Sequence, residues 1–261
     1  MQGDNYASYA TVSNGFTNNG TLELTSINGG QSAGLGVTTG TLINGVGAAI
    51  SVLPGKGGAR LLDFELNNMG SVNIGVAAST THNPAAHSNS GTITLNGGDW
   101  TINQQDNGTF TNLATGVIDI GSTNTLHITA GGVSNALNGK IVGFGTFDVR
   151  APARFTNDGE LSPGKSPGIL TVAGDPNLSA TSTLTIELGQ KPTDPSDRLD
   201  VSGNATLNGT LAVTALAGSS VGTFTVMTFK ASTGQFLPVS QLPPNCGQPV
   251  YNPTSVQIVC S

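Results

Sequence analysis

Apolar residues recur at every second position in short runs along most of this chain. Read as a strand, Thr21-Leu22-Glu23-Leu24 turns Leu22 and Leu24 to one side and Thr21 and Glu23 to the other. Thr92-Ile93-Thr94-Leu95 has the same parity, with Ile93 and Leu95 inward. An Asn followed by a Gly stands just before each run. The phrase is clear at Asn18-Asn19-Gly20, Asn68-Met69-Gly70 and Asn89-Ser90-Gly91. Looser copies fall at Asn44-Gly45, from Asn112 to Ile120, at Asn138-Gly139 and at Asn157-Asp158-Gly159. With Gly70, Gly91, Gly116, Gly139 and Gly159 as markers, the step is 20 to 25 residues.

A step of that length, holding a turn and short alternating strands, predicts one coil of a solenoid. A single coil cannot bury its own Leu, Ile and Val. Stacked coils form parallel sheets around a continuous apolar interior. The expected fold is therefore all-β, a parallel β-helix of about ten coils. In such a stack the Asn amides are placed to bond turn backbone and one another in a ladder. The glycines are expected to supply positive φ. The inserts Leu53 to Gly58 and Ala77 to Ser88 read as loops thrown from corners, where binding groups usually sit. They make Lys56, Arg60, His82 and His87 the candidate ligand-contact residues.

The wording changes after Phe155 to Val172, which holds two turn signals, Pro163-Gly164 and Pro167-Gly168. Leu178 to Leu188 reads as a strand, Lys191 to Arg198 as a turn, and Leu199 to Val213 as a hairpin turning at Asn208-Gly209. Thr223 to Phe229 alternates, with Phe224, Val226 and Thr228 on one face. Residues 1–154 are read as solenoid repeats and 155–261 as their continuation and a strand-rich C-terminal cap, all one elongated domain. Such a cap is needed because the last coil otherwise presents unpaired strand edges.

Composition sharpens this picture. The chain has 37 Gly and only 9% charged residues, against about 25% in ordinary soluble domains. Ser, Thr and Asn favour strands and turns over helix. The net charge of −6 comes without any basic run, which excludes nucleic acid as a partner. The longest nearly apolar run, Gly45 to Pro54, is far short of the roughly 20 residues of a membrane-spanning helix. The N-terminus, with neither a basic start nor an apolar stretch, reads as that of a cytosolic chain or of an excised mature fragment. The two cysteines, Cys246 and Cys260, predict a disulfide; the alternative is a pair of buried thiols.

Candidate chemistry is sparse. Asp194, Asp197 and Asp200 are the densest carboxylate group and a weak candidate for calcium, although turn residues with local partners have the same spacing. The acids Glu23, Asp63, Glu65, Asp99, Asp119, Asp148 and Glu160 are candidates for paired carboxylates of glycoside chemistry, but stacking sugars needs aromatic rings and these are few. No nucleophile motif is present, and no cofactor is implied. Trp100 shares parity with Ile102 and is expected in the core. A flat ice-binding array of outward Thr is opposed by the irregular step and the interleaved acids.

The blocks Leu161 to Val172, Leu184-Thr185-Ile186-Glu187-Leu188, Asp197 to Gly203 and Ala205 to Leu211, in that order, resemble the passenger repeat of bacterial autotransporter adhesins. The upstream Asn and Gly phrase is similar to surface proteins of the filamentous haemagglutinin type. The resemblance implies a right-handed parallel β-helix exported to the cell surface. No segment resembles the family's membrane barrel, and Pro243 to Ser261 lies outside the usual pattern. The expected function is a non-enzymatic, surface-displayed or secreted adhesive module, contacting host, neighbour-cell or matrix ligands. A carbohydrate-active or carbohydrate-binding β-helix and a self-assembling filament subunit are the alternatives.

Overall fold

The alternating runs form parallel strands, each paired with its counterpart one coil earlier and one coil later, in a computed structural model that describes residues 2–3, 6–105, 107–216 and 218–261. Among the described residues there is no helix. The parallel coils stack as a β-solenoid of about nine turns. One face, here face A, is an 11-stranded sheet. Its inward column runs Ile50, Val72, Ile93, Ile118, Ile141, Leu161, Leu184 and Leu211, each stacked in register on the next. All eight are at most 1% exposed. Burying one such side chain stabilises by about 1.5–3 kcal/mol, which one coil alone cannot achieve because half of each side chain would face water.

The remaining strands make a 19-stranded sheet that folds over two further faces, B and C. In the first coils a single long strand serves both: Ser8–Asn18, Ala33–Asn44 and Arg60–Asn68. The last of these pairs with two separate strands of the next coil, Ala78–Thr80 on face B and Ala86–Asn89 on face C. From there the coils have three short sides.

At the corner from face C to face A, seven asparagines form the expected ladder. Asn18, Asn44, Asn68, Asn89, Asn112 and Asn135 each donate through Nδ2 to Oδ1 of the next, ending on Asn157, at 2.7–2.8 Å. The rungs are 21 to 26 residues apart. One expected member is different: Asn135, not Asn138, carries the rung. Asn138 takes the corner with φ of 67°.

The glycines also act differently from expectation. Gly70, Gly91, Gly116, Gly139 and Gly159 are absent from the positive-φ residues. They are glycine because a Cβ would strike the coil beneath: at Gly91 the carbonyl of Gly70, at Gly159 the carbonyl of Gly139. At Gly20, in the first coil, a Cβ would meet nothing within 4 Å among the described residues.

The stack continues through Phe155 to Val172 as Arg154–Asn157, Glu160–Pro163 and Ile169–Ala173, on faces C, A and B. The Asn ladder stops here, because Leu178 lies over Asn157. At a different corner, from face A to face B, a carboxylate serves as a clamp: Asp197 accepts from the amides of Gly168 at 2.7 Å and Glu187 at 3.0 Å. The hairpin expected at Asn208-Gly209 is another corner; Asn204–Leu207 and Thr210–Ala215 pair with neighbouring coils, not with each other. Thr228 points outward to Asp200, because a bulge between Thr225 and Met227 reverses the parity of Phe224 and Val226. The cap is the antiparallel pair Val250–Asn252 and Ser255–Cys260, the latter laid along Gly222–Thr228. The Cys246–Cys260 disulfide ties it down.

Candidate ligand-contact site

The strand Ala33–Asn44 begins Ala33-Gly34-Leu35-Gly36-Val37. Ala33, Leu35 and Val37 point into the core, so the two outward positions carry no side chain. Tyr9, one coil earlier and in register with Gly34, fills the gap. A Cβ on Gly34 or on Gly36 would strike its ring or hydroxyl. The ring therefore lies over both glycines, and Tyr9 remains 47% exposed.

Its hydroxyl donates to Oδ2 of Asp63 at 3.2 Å, from the strand that pairs with Gly36. Thr81 donates to the other oxygen of Asp63 at 3.2 Å, and Nδ1 of His82 stands 3.8 Å from it. Burial, with the Asp63 carboxylate beside it, raises the Tyr9 hydroxyl above its ordinary value. Thr11 and Thr38 complete the rim of an open recess of about 350 Å³. Of the loop residues expected to contact ligand, His82 belongs to this cluster.

The other three part company. Lys56 is exposed at its loop tip. Arg60 is 1% exposed and organises that loop from within: its guanidinium donates to the carbonyls of Leu53, Pro54, Gly57, Gly58 and Ala59 at 2.7–3.3 Å. His87 is 2% exposed and part of the core, where Nδ1 accepts from the amide of Leu66 at 3.2 Å and Nε2 has no hydrogen-bond partner among the described residues. Burial pulls its pKa down to about 4. The sequence held the signal for this. The residue two before each ladder Asn is Phe16, Leu42, Leu66, His87, Phe110, Val133 or Phe155, so His87 occupies an inward column of large apolar side chains.

The weak calcium candidates have protein partners of their own. Asp194 accepts from the amide of Lys191, Asp197 from two amides, and Asp200 from Arg198 and Thr228. Burial pushes Asp197 up to about 6. Burial also acts on Asp200, but Arg198 and Thr228 outweigh it and hold the carboxyl below the ordinary value. Among the described residues no group of three His, Cys, Asp or Glu gathers as a metal site. Trp100 is in the core, as expected, with Nε1 donating to Thr80 at 3.0 Å.

The outward acids are likewise engaged within the fold. Glu160 pairs with Lys140 at 2.8 Å, Asp119 with Lys165 at 2.5 Å, and Asp148 with Arg150 at 2.6 Å. Asp99 accepts from the Thr125 amide. Burial would raise Glu65, yet Thr41, the amide of Ala86 and the nearby histidines hold it below its ordinary value. A polar cleft of about 600 Å³ lies on face A, around Lys140, Glu160, Thr183 and Thr210.

No family model matches this sequence. Over 69 residues, 25% of the chain, it is 45% identical to the adhesin BmaC autotransporter of Brucella suis biovar 1 (strain 1330). That stretch is 2% of the adhesin's length, so the chain spans only a small part of it. The fold is a β-solenoid, and over that stretch the sequence is similar to part of an autotransporter adhesin.

Proposed function

We propose that the chain is a non-enzymatic structural and adhesive module, displayed on a bacterial surface or secreted, that meets host, neighbour-cell or matrix ligands through side chains on its outer faces. The observation that carries this reading is the state of the outward polar groups. Strand amides and carbonyls pair between coils, and the acids best placed for catalysis are held in ion pairs or hydrogen bonds of the fold. The similarity to an autotransporter adhesin supports it. The Cys246–Cys260 disulfide suits an oxidising, extracellular setting.

The purified chain, incubated with pectin, alginate, xylan, mannan and hyaluronan, is expected to release neither reducing ends nor unsaturated uronates. Turnover of any of them that disappears in Glu160→Gln or Asp119→Asn contradicts the reading.

A further inference from the structure

The Tyr9 shelf is more specific than an adhesive surface requires. Two side chains are missing at consecutive outward positions, and an aromatic ring from the adjacent coil covers them. The ring's inner side rests on Gly34 and Gly36, while the residue is half exposed. At its edge stands Asp63, whose two oxygens already order Tyr9 and Thr81 and retain further acceptor capacity. His82 lies beside the same carboxylate.

A flat ring with a fixed carboxylate at its rim is matched by a ligand with an apolar face and hydroxyl donors around its edge. A pyranose has both. Its axial C–H groups pack on the ring, and adjacent hydroxyls donate to the carboxylate. The recess, about 350 Å³, is at the small end for ligand sites and suits one or two rings. Asp63, with Glu65 nearby on the same strand, disfavours acidic sugars and phosphates.

We propose that this shelf is a carbohydrate subsite, in which one neutral or amino sugar ring stacks on Tyr9 and donates to Asp63. The proposal rests on the adhesive reading and names the ligand class for it. Tyr9 supplies the platform, Gly34 and Gly36 let it lie flat, and Asp63 selects for hydroxyl donors. Thr11 and Thr38 border the bound ring.

The test titrates the whole chain, labelled at Tyr and His, with the methyl glycosides of glucose, galactose, mannose, N-acetylglucosamine and galactosamine. At least one is expected to shift the Tyr9 and His82 signals saturably and to leave Tyr251 in place. Tyr9→Ala weakens that binding at least about tenfold, within the range for loss of one stacked ring, whereas Tyr9→Phe, which keeps the ring, weakens it less. Thr11→Arg fills the recess and offers a guanidinium to Asp63, and is expected to abolish binding while the fold is retained. The proposal is overturned when no glycoside saturates, or when Tyr9→Ala binds as the wild type does. Beads coated with each protein separate the two readings. Equal retention of wild-type and Tyr9→Ala beads on cells removes the shelf and leaves adhesion standing, whereas absence of retention for wild-type beads overturns the adhesive reading, with the titration still deciding the shelf.

Discussion

Asn112 donates through Nδ2 to Oδ1 of Asn135 at 2.7 Å, a bond between residues 23 apart that holds two coils together. The same Nδ2 also reaches the carbonyls of Gly116 and Lys140. Asn112→Ala removes these bonds, takes from Asn89 its ladder acceptor though not the carbonyls of Gly91 and Val117, and leaves Oδ1 of Asn135 without its ladder donor in a buried corner. The expected loss is on the order of 3 kcal/mol, read as a lowered urea midpoint. Asn138→Gly, at a corner of positive φ outside the ladder, is expected to change stability by less than about 0.5 kcal/mol. Equal effects of the two would remove the ladder from the account.

The corner glycines provide a second, position-dependent test. Gly91→Ala drives a methyl into the carbonyl of Gly70, whereas Gly20→Ala adds one where nothing lies within 4 Å among the described residues. The first is expected to cost roughly 1–3 kcal/mol and the second to be near neutral. Thermal unfolding of both variants checks this. If the glycines served backbone conformation instead, the two would cost the same.

Two buried titrating groups oppose one another. Burial raises Asp197 from 3.8 to about 6, so between those values the folded state holds more protons than the unfolded one, and stability falls as pH rises. Burial lowers His87 from 6.5 to about 4, so there the unfolded state holds more protons, and stability rises with pH. Each effect is on the order of 3 kcal/mol when complete. The wild-type urea midpoint is therefore expected to be nearly flat from pH 4 to 6. His87→Leu removes the slope that opposes Asp197, so its midpoint falls over that interval relative to the wild type. A variant midpoint that rises instead contradicts the assignment.

Reduction of the Cys246–Cys260 bridge, which closes a separation of 14 residues, is expected to cost about 3 kcal/mol. The loss should be local. Hydrogen exchange quickens in Gly222–Thr228 and Ser255–Cys260, while the coils around Asn89 to Asn157 keep their protection. Uniform loss along the stack would mean that the cap and coils unfold as one.

Much of this was legible in the sequence because it is written in alternation: Ile93 and Leu95 are buried and Thr92 is exposed, as their parity requires. The ladder was legible because the Asn recurs beside its turn. The role of the glycines was not, since a close approach between coils is a property of the stack and both explanations ask for the same residue. His87 and Arg60 looked like loop groups because inserts with Pro and Gly turn signals stand just before or around them. The register of the coil buries the first, and a ring of carbonyls buries the second. The Tyr9 shelf was hidden for the same reason, because Tyr9, Gly36 and Asp63 belong to three successive coils and meet only when those coils are stacked.

The central claim is adhesion, and the most direct measurement is retention under flow. Beads coated with the folded chain, and matched beads coated with chain unfolded by reduction and urea, are passed over host-cell, bacterial-cell and matrix-protein surfaces. The account predicts that the folded coating is retained on at least one of these surfaces and the unfolded coating on none. Equal retention of the two coatings on every surface would contradict it.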